Sequence, residues 1–208
     1  MSIVKLNNRA VKDATAAGSI TGLGDFKFIS RTTASSSSSL EITSGIDSTY
    51  KEYIFFINNI HPADHVTFQF NLSIDGGSNY NVTKTTTLFN AYHYELESSG
   101  KAGPVYITNV DLAQSTAAQP LMAFGDLNNS DDGGFSAMLH LFDPSNTTFV
   151  KHFVSRSNMV GGAHGTNPYV NSDFVCGYAN TTSAVNAIKF EMSSSAIASG
   201  TIDLYGVN

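Results

Sequence analysis

The chain predicts an all-β fold: an antiparallel β-sandwich of jelly-roll type with an extended N-terminal arm. Three observations carry this. Apolar residues recur with period two, as in Val66, Phe68, Phe70, Leu72 and Ile74, which alternate with Thr67, Gln69, Asn71 and Ser73. Turn-forming clusters such as Asp75-Gly76-Gly77-Ser78-Asn79 and Asp143-Pro144-Ser145-Asn146 separate the runs. No segment carries the helical periodicity of an amphipathic helix. The pattern yields roughly nine to twelve short strands, the signature of a sandwich or barrel. Two long loops between strands favour the jelly roll.

The elements follow in order. Residues 1–24 hold one short strand-like run, Ile3-Val4-Lys5-Leu6, and then a stretch rich in small residues, with Gly18, Gly22 and Gly24. Such a segment buries too little surface to fold alone and reads as an arm that docks on a partner. The β domain takes residues 25–208 and opens at Phe26-Lys27-Phe28-Ile29. The serine tract Ser35–Ser39 is either an extended polar strand or a loop. Tyr53, Ile54, Phe55, Phe56 and Ile57 are apolar on both faces, as in a central strand. After Val66–Ile74, the turn at 75–79 predicts a hairpin back into a threonine-rich strand, Tyr80 to Phe89. Tyr92, Tyr94 and Leu96 continue the alternation, and Val105-Tyr106-Ile107 forms a short strand. Residues 126–134 and 157–172 read as polar, glycine-containing loops. Met138–Phe142 and Phe149–Val154 are apolar runs joined by the turn at 143–146. The chain closes with strands Phe174–Tyr178, Ala187–Met192 and Thr201–Tyr205.

Composition narrows the function. The 208 residues include 11 Lys and Arg against 17 Asp and Glu, a net charge of −6, and only 13% are charged. That is about half the usual share. Ser, Thr and Asn take the place of charge. No basic run exists to track phosphates, so nucleic acid is not an expected partner. No apolar stretch is long enough to span a bilayer as a helix, and the N-terminus lacks the apolar core of a signal peptide. The sequons at Asn81, Asn146 and Asn180 are then products of composition. The single cysteine, Cys176, rules out an intrachain disulfide and reads as a small buried hydrophobe within Phe174-Val175-Cys176.

Candidate chemistry is sparse, and the expectation is no catalytic residue, no metal site and no cofactor. His61-Pro62-Ala63-Asp64-His65 groups two imidazoles and a carboxylate, but Pro62 and the flanking strands make it an inter-strand turn. His140 and His152 could face each other across a hairpin. His93 points away from the rings of Tyr92 and Tyr94. His164, in Gly161-Gly162-Ala163-His164-Gly165, has no following helix or Lys-Ser/Thr pair to make a phosphate loop. Asp131 and Asp132 are neighbours, whereas glycoside cleavage needs carboxyls on opposite sides of the bond. Their loop has the oxygen density for calcium but reads first as a solvated turn. The 14 phenylalanines follow the strand period, which assigns most of them to the core.

Several segments together resemble a known family. They are Val4-Lys5-Leu6-Asn7-Asn8-Arg9-Ala10-Val11, Tyr50-Lys51-Glu52-Tyr53-Ile54-Phe55, Asn59-Ile60-His61-Pro62-Ala63, Gln69-Phe70 to Asp75-Gly76-Gly77, Val185 to Phe190, and Ser199 to Val207. As a set they resemble structural proteins of tailed phages, marine and cyanobacterial phages among them, described as tail-fibre-like or virion structural proteins. The resemblance covers nearly the whole chain and implies no catalytic residues. It implies that residues 1–24 anchor to capsid, tail or fibre subunits of the virion. It further implies that the β domain projects outward, in a trimer or another symmetric homo-oligomer. A fibre would attach to the host surface, a glycan being the ligand, and the loops at 126–134 and 157–172 are candidate tips. A head decoration would reinforce the shell. The alternatives are a free-standing carbohydrate-binding module and, behind it, a glycan depolymerase.

Overall fold

Alternation of side chains across each strand builds two antiparallel sheets whose apolar faces meet. The computed structural model describes residues 26–96, 100–123, 127–162 and 167–207. The proposed arm, residues 1–24, and His164 lie outside them. Among the described residues the strands are β1 (Phe26–Ser37), β2 (Ser39–Ile42), β3 (Glu52–Pro62), β4 (Phe68–Ser73), β5 (Lys84–Tyr94) and β6 (Lys101–Tyr106). They continue with β7 (Gln119–Pro120), β8 (Gly134–Phe142), β9 (Lys151–Gly161), β10 (Tyr169–Ala179), β11 (Ala187–Met192) and β12 (Ile197–Val207). One sheet has eight strands in the order β1-β12-β3-β8-β9-β10-β5-β6, and the other has four in the order β2-β11-β4-β7. The fold is therefore the all-β sandwich that the periodicity predicts.

Phenylalanines close the gap between the sheets. Phe190 of β11 packs on Phe55 of β3 at 5.7 Å between ring centroids, on Phe68 at 6.0 Å and on Phe70 at 6.3 Å. Phe70 in turn meets Phe153 edge-on at 5.2 Å, and Phe68 meets Phe135 at 5.1 Å. All six rings are essentially inaccessible to solvent. Tilted, edge-on and stacked pairs of this kind add to area burial. β3 is internal to its sheet, and Ile54 is buried on the face opposite Phe55, as its two-sided apolar pattern predicts.

The four-stranded sheet covers only part of its partner. The irregular segment 107–123, interrupted by β7, runs along the edge of β5 as far as Ser115 and then over the inner face of β9 and β10. Buried backbone without a ladder needs other partners. Thr86 supplies them through its backbone N–H to the carbonyl of Leu112 (2.9 Å) and its hydroxyl from the N–H of Leu112 (2.8 Å). The carboxylate of Asp111 accepts the N–H of Leu88 (2.9 Å), and Ser157 donates its hydroxyl to the carbonyl of Leu121 (2.9 Å). Ala123 donates its N–H to Asp173 (2.9 Å).

That covering segment explains where the strand assignments differ from expectation. Residues 157–172 are not a loop: β9 continues to Gly161 and β10 begins at Tyr169. Ser155, Ser157, Asn171 and Asp173 are polar, yet they point inward, where Ser157 and Asp173 bond the segment's backbone. Val154 and Val170 are apolar, yet they point outward. The polarity of a half-buried strand is inverted, so it reads as a loop. The predicted hairpin between residues 66–74 and 80–89 does not form either. After the turn at 75–79 the chain crosses to the other sheet, where β5 pairs with β10 and β6, while β4 pairs with β11 and β7. The serine tract is strand up to Ser37 and resumes in β2 at Ser39. Cys176 is exposed, because Val175 takes the inward position beside it. Only six of the thirteen phenylalanines among the described residues are buried.

Phe190→Ala should lower unfolding free energy by about 3–5 kcal/mol. Urea denaturation followed by far-UV circular dichroism measures this.

Candidate functional site

Two features stand out once the fold is known, one outside the eight-stranded sheet and one inside it. On the outside, the register sets side chains in rows. One row crosses all eight strands: Arg31, Asp203, Phe56, Met138, Arg156, Phe174, Phe89 and Tyr106. At the ordinary spacing between strands it spans about 34 Å. The next row carries Phe28, Tyr205, Ile54, His140, Val154 and Cys176.

Aromatic contacts hold both ends of this face. Tyr205 packs edge-on against Phe28 at 5.4 Å and Phe56 at 5.3 Å. Phe89 and Phe174 stack at 5.0 Å with their planes 5° apart. The guanidinium of Arg156 lies 5.3 Å from the centroid of Phe174. Arg156 forms no ion pair among the described residues. Arg31, by contrast, clasps the buried carboxylate of Asp203 with two parallel hydrogen bonds of 2.6 and 2.7 Å. Such fork geometry fixes both groups in place. Glu52 bonds to Nδ1 of His140. Phe26, Phe28, Phe89, Tyr106, Met138, Phe142 and Val154 are each 37–60% exposed. An outward sheet face normally alternates toward polar residues; this one sets a ridge of exposed apolar side chains among polar ones such as Arg156 and Asn158.

Inside, β5, β10 and β9 carry a polar cluster. Asn171 donates its amide to both oxygens of Asp173 at 3.0 Å and accepts the amide of Asn90 at 2.9 Å. All three side chains are buried. Desolvation pushes the Asp173 carboxyl up to about 7, against the pull of its hydrogen bonds from Ala123 and Asn171. At the far end of the same strands, Lys84 and Lys151 flank Ala179 in one register row. Lys84 donates to Asn71 (2.6 Å) and to the carbonyl of Val82 (2.8 Å), and burial lowers its ammonium to about 8. Lys151 donates to the carbonyls of Phe149 (3.0 Å) and Thr181 (3.1 Å). These ammonium groups tie loop carbonyls to strand ends.

The residues singled out from the sequence are placed as follows. His61 and Pro62 are the last two residues of β3 rather than part of a turn, with Nε2 of His61 3.1 Å from Oδ1 of Asn59, while Asp64 and His65 are exposed in the turn beyond. His140 and His152 share the outer face but are not partners. Val154 lies opposite His140, and Tyr178 lies opposite His152. His93 lies opposite Val170, on the face away from the core-packed Tyr92 and Tyr94. Asp131 and Asp132 are exposed in a tight turn pinned by Asn128, whose Oδ1 accepts the N–H (2.9 Å) and hydroxyl (2.7 Å) of Ser130. No group of three or more His, Cys, Asp or Glu is placed to share an ion among the described residues. At the β8–β9 connection, Phe142, Asn146, Phe149, His152 and Thr182 line a pocket of about 540 Å³. Phe149 there is 68% exposed. Asn146 fixes it by accepting the backbone N–H groups of Thr148 (2.7 Å) and Phe149 (2.8 Å).

No family model matches this chain, and neither a curated protein nor a solved structure is significantly similar to it.

Sequence reasoning missed both the apolar outer face and Asp173. The one available signal was Phe174, Phe89 and Val170 standing at the wrong phase relative to Asp173, Asn90 and Asn171.

Asp173 gives the fold a pH dependence. Its folded value of about 7 lies above the roughly 4 of an unfolded aspartate. The folded state therefore binds the proton more tightly, and stability falls as pH rises from about 4 through 7. Denaturation midpoints measured across that range should decline for the wild type, and Asp173→Asn should flatten the decline.

Proposed function

We propose that this chain is a structural protein of a phage particle, acting by docking and display rather than by catalysis. The observation that carries this reading is the apolar outer face of the eight-stranded sheet on a chain with only 13% charged residues. An extensive exposed apolar patch marks an interaction surface. The resemblance of the chain's segments to tailed-phage virion proteins points the same way. Residues 1–24 serve as the anchoring arm, and the sandwich is the displayed body. On a fibre it contacts the host surface; on a head it reinforces the shell.

The strand order supports a jelly-roll reading of the sandwich. β2, β11, β4 and β7 form one sheet, and the chain passes to the other sheet after each. In the second sheet β3, β10, β5 and β6 keep the order of the matching four strands. The β8–β9 hairpin is inserted between β3 and β10, and β12 and β1 are added at the edge.

Mass spectrometry of purified particles of the encoding phage should detect this chain in stoichiometric amounts. Cryo-electron microscopy should then place it on tail or capsid. Its absence from the particle would overturn the reading.

A carbohydrate-binding role has one specific observation in its favour, the β8–β9 pocket. There an exposed Phe149 ring stands beside the imidazole of His152 and the hydroxyl of Thr182. A ring for the apolar face of a sugar and polar groups for its hydroxyls is the expected composition of such a pocket. If the pocket binds glycan, Phe149→Ala should weaken oligosaccharide binding, by about tenfold in calorimetry, and leave the melting temperature unchanged.

A further inference from the structure

We propose that the outer face of the eight-stranded sheet is an interface between copies of this chain. The inference deepens the display reading by naming the partner, and it rests on that reading only for its biological setting.

The area is sufficient. With about 200 Å² for a whole aromatic residue, the fractions exposed at Phe26, Phe28, Phe89, Tyr106, Met138, Phe142 and Val154 come to roughly 600 Å² of mainly apolar surface. A stable interface buries about 800 Å² per partner. The polar residues between these side chains supply the remainder.

Shape and charge select a second copy as the occupant. A twisted sheet packs face to face best on a sheet of the same twist, with strands aligned to about 30°, and an identical sheet has that twist. The face is also complementary to itself in charge. Arg156 brings a cation with no carboxylate partner among the described residues, and Glu52, two strands away, brings a carboxylate shared only with His140. Arg31 and Asp203 already neutralise each other. The shallow groove of about 460 Å³ between Phe56, Met138 and Arg156 offers a recess for a protruding side chain of the facing copy.

The test is sedimentation velocity of the full chain across a wide concentration range. Wild type should sediment as a discrete oligomer. Val154→Asp introduces a charge at an exposed position in the middle of the face, and should weaken association by about tenfold or more with an unchanged circular dichroism spectrum. Ile74→Asp, exposed after β4 in the other sheet, should leave association intact. A second readout needs no variant. Cys176 lies beside Val154 on this face. Its thiol should react slowly with maleimide in the oligomer and quickly after dissociation by dilution. A monomer at every concentration overturns the proposal. So does an oligomer indifferent to Val154→Asp, or a Cys176 equally reactive in both states. A monomer that is still found in phage particles removes this interface and keeps the virion reading. An oligomer through this face that is absent from particles does the reverse.

Discussion

The requirement that buried backbone find hydrogen-bond partners governs this structure. The four-stranded sheet is narrower than the eight-stranded one, so the irregular segment at 107–123 runs along the edge of β5 and then covers the inner face of β9 and β10. Part of it joins a ladder, through β7 on β4 and the bridge between Ser115 and Lys84, and its other buried N–H and C=O groups need partners elsewhere. The side chains of Thr86, Ser157 and Asp173 supply those partners to Leu112, Leu121 and Ala123 one bond at a time. An apolar inner face here would leave those groups unpaired, at a cost of about 1–3 kcal/mol each. Polar side chains therefore occupy core-facing positions on three adjacent strands.

The same constraint bears on the outer face. Side chains alternate strictly along a strand, so an inward Asn90 or Asp173 leaves Phe89 or Phe174 to point outward. The apolar ridge outside and the polar cluster inside are two sides of one phase choice. Arg156 over Phe174, the stacked Phe89–Phe174 pair and the edge-on contacts of Tyr205 organise that ridge into a fixed surface. A preorganised face loses less freedom on association, which suits a protein that assembles. The price is an aspartate held near the middle of the physiological pH range, whose ionisation carries the desolvation cost of a buried charge.

Reading strands from the sequence worked wherever one face meets the core and the other meets water. Ile188, Phe190 and Met192 against Lys189 and Glu191 is such a case. It failed at residues 157–172, where polarity and burial are exchanged. It failed also at the turn after Ser73. Asp75 and Gly76 describe a tight turn but say nothing about which sheet the chain enters next. Of the candidate site, the exposed Phe149 lay in a predicted apolar run with nothing to mark it as outward.

Composition, strand periodicity and turn chemistry by themselves determined an all-β, weakly charged chain without a disulfide, because these depend on local residue order alone. Sheet pairing, the width mismatch between the sheets, the covering segment and the apolar outer face were decided only by tertiary structure. They depend on which strands lie side by side. A period of two records that a strand has two faces; it does not record which face the rest of the chain will cover.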